Sequence, residues 1–102
     1  MTKTILTGGG ELKKIYKYTL QIEDKQTLKL PEGSKILSVA EQNNSIVLYA
    51  LVNTDTENVE RVSVIIHGTG HPANDVEDYA FLGTVKLYGG DLMFHVFFIK
   101  RT

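Results

Sequence analysis

Three histidines and two clusters of glycine carry most of the chemistry that this sequence could perform. His67 and His71 bracket Gly68-Thr69-Gly70, with Pro72 behind them, and His95 follows the Gly89-Gly90 pair. Imidazole ordinarily titrates near neutrality, so these rings could move a proton, ligate a metal or pair with an anion. Each of those uses needs partners at a suitable spacing. His67 and His71 are four apart without a helical pattern, and the chain has no cysteine to complete a metal set. No serine or threonine stands in a nucleophile motif. The spacing therefore assigns no metal site, no cofactor and no catalytic residue, and a non-enzymatic role is expected. Gly68 to Ala73 does spell G-x-G-x-x-A, the pattern of dinucleotide-binding loops. That loop has to open a long helix leading to a parallel strand, and about ten residues before the next strand leave no room for the crossover.

A smaller role remains open to the loop. Glycines beside a threonine can turn successive amides toward one point and form a concavity that favours an anion. The expected anion site takes Gly68, Thr69 and Gly70 as amide donors, with His71 and His95 as hydrogen-bonding or charge partners. Lys86 or Arg61 would supply phosphate charge, and Tyr88 a ring on which a base could stack. The alternative is a turn between two strands, with glycine chosen only for its backbone freedom.

The elements that must position these residues read as strands. Ile15 to Ile22 alternates Tyr16, Tyr18, Leu20 and Ile22 with polar residues, the period of a half-buried strand. Thr27 to Leu30 stops at the Pro31-Glu32-Gly33 turn cluster. Lys35 to Gln42 and Ser45 to Asn53 flank Asn43-Asn44, which suits a two-residue type I′ hairpin. That register would face Leu37, Val39 and Glu41 toward Ala50, Leu48 and Ile46 on a core side. Glu60 to His67 sets Val62, Val64 and Ile66 on one side and Arg61, Ser63, Ile65 and His67 on the other. Asn74 and Glu77 have capping-box spacing, predicting one helical turn over Asp75 to Tyr79. Phe81 to Tyr88 and Asp91 to Lys100, joined at Gly89-Gly90, would pair Val85 with Phe94 and Thr84 with His95.

Together these imply an all-β chain: a compact antiparallel sandwich or barrel of about seven short strands with at most one short helical turn. Residues 1–12, with Gly8-Gly9-Gly10, read as a flexible N-terminal arm, and 13–102 as a single β domain. Eleven basic against twelve acidic residues argue against a duplex nucleic-acid partner. The absence of a long apolar run points to a cytoplasmic protein without a membrane partner. The last strand is apolar on both faces, with Met93, Phe97 and Ile99 on the second, so self-association as a homodimer is expected.

Three blocks occur in order: Gly68-Thr69-Gly70-His71-Pro72, Phe81-Leu82-Gly83-Thr84-Val85, and Gly89-Gly90-Asp91-Leu92-Met93-Phe94-His95-Val96-Phe97. With Lys14-Ile15-Tyr16-Lys17-Tyr18-Thr19-Leu20 and the Leu30-Pro31-Glu32-Gly33 turn, they resemble a family of small uncharacterised proteins encoded largely by bacteriophages and prophages. The resemblance spans roughly Lys13 to Phe98. It implies a phage protein acting in the host cytoplasm, and by analogy of size and origin a sponge for a nucleotide immune signal. The expected function is binding a small phosphate-bearing, nucleotide-like ligand. The alternative is a phage accessory or host-inhibiting protein–protein interaction module that uses no small ligand.

Overall fold

The computed structural model describes residues 12–101. The expected arm lies, apart from Leu12, outside the described residues. Among the described residues seven strands follow one another: β1 (Lys13–Leu20), β2 (Lys25–Pro31), β3 (Lys35–Gln42), β4 (Ser45–Asn53), β5 (Val59–Gly68), β6 (Ala80–Leu87) and β7 (Leu92–Lys100). They form two antiparallel sheets, β1-β4-β3 and β2-β5-β7-β6. Of the two architectures left open by the sequence, the sandwich is the one adopted. A single helical turn was expected; two three-residue 3-10 turns are present, Asn74–Val76 and Tyr88–Gly90.

Alternation decides which side chains face the space between the sheets. Ile46, Leu48, Ala50 and Val52 point inward from β4, and Val62, Val64 and Ile66 from β5, to meet Leu20, Leu30, Val85, Leu87 and Val96 in one core. Burial of this kind stabilises by roughly 25 cal/mol per Å2 of apolar surface removed from water. The sheets approach most closely where β3 crosses β6. There a Cβ added to Gly83 would stand 2.9 Å from Cγ1 of Val39.

Both hairpin registers agree with the sequence reading near their turns. Val39 pairs with Leu48 and Glu41 with Ile46; Val85 pairs with Phe94 and Thr84 with His95. Asn43 and Asn44 adopt φ of 52° and 60°, and Gly89 and Gly90 adopt 68° and 99°, the left-handed pairs that a type I′ turn requires. Farther from the turns each hairpin slips. A bulge at Leu37 places Ile36 opposite Ala50, so Ile36 packs on the core and Leu37 is exposed, contrary to the expected core assignment. Another bulge lies between Phe81 and Gly83.

Two local expectations are corrected. Ile22 is not part of the first strand, which ends at Leu20. Gln21 donates its amide to the Gln26 side chain and accepts from it in return, turning the chain instead. The capping box does not form either: Ala73 occupies the cap position of the Asn74–Val76 turn and no side chain caps it.

The links between strands gather at the two ends of the sandwich. At one end, which residues 31–34 and 53–58 share, an ion pair joins a buried carboxylate to an ammonium whose side chain is 39% exposed. Glu60 is 5% exposed, and its Oε2 lies 3.0 Å from the Lys100 ammonium. That oxygen has no other hydrogen-bond partner, so the ammonium is its compensation. The Gly33 amide donates to Oε1 at 3.2 Å, and Lys100 also donates to the Ser34 carbonyl. The Leu12 carbonyl accepts the Thr54 amide at 2.8 Å, also at this end. The opposite end carries residues 21–24, Asn43-Asn44, the glycine loop 69–73 and the 88–91 turn.

Candidate functional site

The glycine loop continues β5 over the edge of the second sheet. Thr69 donates its amide to the Met93 carbonyl at 3.3 Å, and His71 donates its amide back to the Gly68 carbonyl at 3.2 Å. Gly70 turns the chain at φ 91°, where an L side chain is strained. The His71 ring folds onto Gly68, and a Cβ at Gly68 would lie 3.3 Å from its Cε1. Glycine at 68 is thus set by close approach, and glycine at 70 by backbone conformation. The amide nest expected of Gly68, Thr69 and Gly70 is corrected on one point. The Thr69 amide extends the β5–β7 ladder and cannot also face a ligand.

The Thr69 hydroxyl points elsewhere. It lies 2.7 Å from His95 Nε2, while the Thr84 hydroxyl lies 3.0 Å from Nδ1 of the same ring. One ring nitrogen of neutral imidazole donates and the other accepts, so the two threonines hold the ring from both sides. His67 pairs with His95 across the β5–β7 register. Its Nε2 bonds Asp75 Oδ1 at 2.7 Å, and the residue is 8% exposed. Farther along the same face, Ser63 Oγ meets the Tyr79 hydroxyl at 2.7 Å. The segment after the glycine loop is therefore strapped across the sheet at two points.

The strap ends in a groove lined by Lys25, Ile65, Asn74, Asp75, Glu77, Asp78, Tyr79, Ile99 and Arg101. Burial alone would raise the Tyr79 phenol pKa. The bonds from Ser63 and Arg101 and the charges of Lys25 and Arg101 outweigh it and leave the pKa below the usual 10.0. Arg101 also lies over the ring, 5.7 Å from its centroid.

A groove of about 290 Å3 runs between the glycine loop and the start of β7, lined by Gly68, Thr69, His71, Asp91, Leu92, Met93 and Phe94. The structure thus brings Gly68, Thr69 and His71 together, next to Gly70, with His95 held behind Thr69. Two expected partners stand in a different groove on the hairpin tip, where Lys86 and Tyr88 meet Glu41, Asn44, Gly89 and Gly90. Arg61 is farther still. It lies on β5 six residues before His67, roughly 20 Å along an extended strand. Sequence reasoning missed Thr84 as the second clamp on His95 and Asp75 as the partner of His67. The β6–β7 register carried the signal for Thr84. Nothing local pointed Asp75 at His67, because that contact depends on how the strap folds back.

No helix among the described residues is long and apolar enough to cross a membrane. Among those residues, no group of three or more histidines and acids could hold a metal ion.

The fold and its loop-bearing end define an antiparallel β-sandwich with surface grooves rather than a deep cleft. The chain belongs to the family described as "Domain of unknown function (DUF7352)", whose model matches residues 12–101. No curated protein and no solved structure matches it.

Proposed function

We propose that this chain is a binding module that takes a small phosphate-bearing, nucleotide-like ligand at its loop end, as a phage-encoded sponge for a host signal would. The groove between the glycine loop and β7 carries this reading. The His71 ring supplies a polar group suited to a phosphate, and Leu92, Met93 and Phe94 supply apolar surface suited to a base. His95 keeps Thr69 in place from behind. Lys86 and Arg61 take no part. Asp91 on the groove wall disfavours additional negative charge, so a ligand with one phosphate suits it better than a triphosphate.

The test is thermal unfolding of the full chain with AMP, cyclic 3′,5′-AMP or ATP. Binding to the native state alone stabilises by about 2.7 kcal/mol at a hundredfold excess over Kd. AMP or cyclic AMP should raise the Tm more than ATP. An unchanged Tm with all three would sink the proposal.

A second reading, an interaction module that also self-associates, draws on one observation. Phe81, on the edge strand β6, is 58% exposed and packs at a tilt against Phe97 with ring centroids 5.4 Å apart. An exposed aromatic ring on an edge strand, backed by a second ring, suits a protein partner or a second copy of the chain. Sedimentation at increasing concentration distinguishes the two: a monomer throughout removes the self-association.

A further inference from the structure

The second groove at the loop end is built around Tyr88, whose backbone is unusual. Its φ is 54°, a left-handed conformation that strains a non-glycine residue. The next two residues are glycines, so the turn already has glycine where its central positions need it. The Tyr88 ring does not recover the cost by burial, because the residue is 56% exposed. Its conformation is held from the other sheet: the Tyr88 amide donates to Asn44 Oδ1 at 3.2 Å, and the Asn44 amide donates to Glu41 Oε2 at 2.7 Å. The two hairpin tips thus brace each other and present the ring outward.

The ring borders a groove of about 390 Å3 that both tips share, lined by Glu41, Asn44, Lys86, Tyr88, Gly89 and Gly90. That volume lies within the range of about 300–1,000 Å3 usual for small-molecule sites. Its charges cancel, with one carboxylate and one ammonium, which gives a phosphate no net attraction. The side chains offer donors and acceptors together: the Asn44 amide nitrogen and Lys86 ammonium donate, Glu41 accepts, and the Tyr88 hydroxyl does both. A ligand that satisfies them must be neutral, carry groups that donate and accept at adjacent positions, and have an apolar face for the ring. Sugar hydroxyls and the C–H face of a pyranose meet those conditions.

We propose that this groove is a saccharide-binding site, with Tyr88 as the stacking platform and Asn44, Glu41 and Lys86 as hydrogen-bonding groups. It is separate from the glycine-loop groove and does not depend on the phosphate reading. The test follows backbone amides by nitrogen-15 NMR while the full chain is titrated with cellobiose, maltose or N,N′-diacetylchitobiose. At least one should shift Asn44, Tyr88, Gly89 and Gly90 together, with a midpoint on the order of millimolar for an open groove. The amides of Gly68 to His71 should stay in place. Tyr88→Gly removes the ring and relieves the backbone, so its Tm should equal or exceed that of the parent while binding weakens about tenfold or more. Lys86→Met should weaken binding less and leave the Tm unchanged. Still tip amides with all three disaccharides overturn the proposal. So does a lower Tm or unfolding of Tyr88→Gly, which would make the ring structural. Stronger shifts with AMP than with any disaccharide also overturn it.

Discussion

The two ends of this sandwich use their polar groups in opposite ways. At the 31–34 end, Glu60, Lys100, the Gly33 amide and the Ser34 carbonyl bind one another, and Ser34 is 1% exposed. At the other end Lys86, Tyr88 and His71 are exposed around grooves, and, among the described residues, the non-glycine positions with positive φ, Asn43, Asn44 and Tyr88, are found there. The first end holds the sheets together; the second accepts backbone strain and leaves polar side chains open to solvent. Loops on a rigid scaffold are where binding residues usually gather, and strain is tolerated where it positions a group. On the proposed reading, the first end serves stability and the second recognition.

The contrast can be broken most forcefully at Lys100. Lys100→Met leaves the Glu60 carboxylate buried without its ammonium and should cost about 3 kcal/mol in urea unfolding. Ligand responses of the folded fraction at the other end should not change. A loss below about 1 kcal/mol would place the closed end among weak surface pairs instead. The region between the ends should respond less. Gly83→Ala drives a methyl against Val39 and should cost about 1–2 kcal/mol by the same measurement, with Val39→Ala restoring most of it in the double variant. The smallest expected effect is at the loop end. His71→Ala should alter stability by less than about 0.5 kcal/mol while abolishing any Tm rise produced by AMP. A large stability loss there would erase the division of labour.

Much of the fold was legible because period-two alternation and turn chemistry are local. Asn43-Asn44 and Gly89-Gly90 set two hairpin registers, and Val62, Val64 and Ile66 declared the face of β5 that joins the core between the sheets. The bulge that exchanges Leu37 for Ile36 was not legible, since either residue suits an apolar position and only sheet packing selects between them. The site was legible in composition and not in arrangement. Thr69 and His95 meet because β5 and β7 are neighbours, although their stretches lie far apart in the chain. The same topology separates Arg61 from the loop and moves Lys86 and Tyr88 to the far side of the hairpin tip. The use of the Thr69 amide by Met93 likewise depended on a strand pairing that no local pattern encodes.

The position of β7 between β5 and β6 has a consequence during synthesis. Until residues 92–100 have left the ribosome, β5 lacks one neighbour and β6 has no partner in its own sheet. The second half of the sandwich must wait with open strand edges, the condition under which nascent β chains associate wrongly. When β7 inserts, it completes the ladders on both sides. The same event brings His95 to Thr69 and Lys100 to Glu60, so both ends of the molecule are finished by one strand.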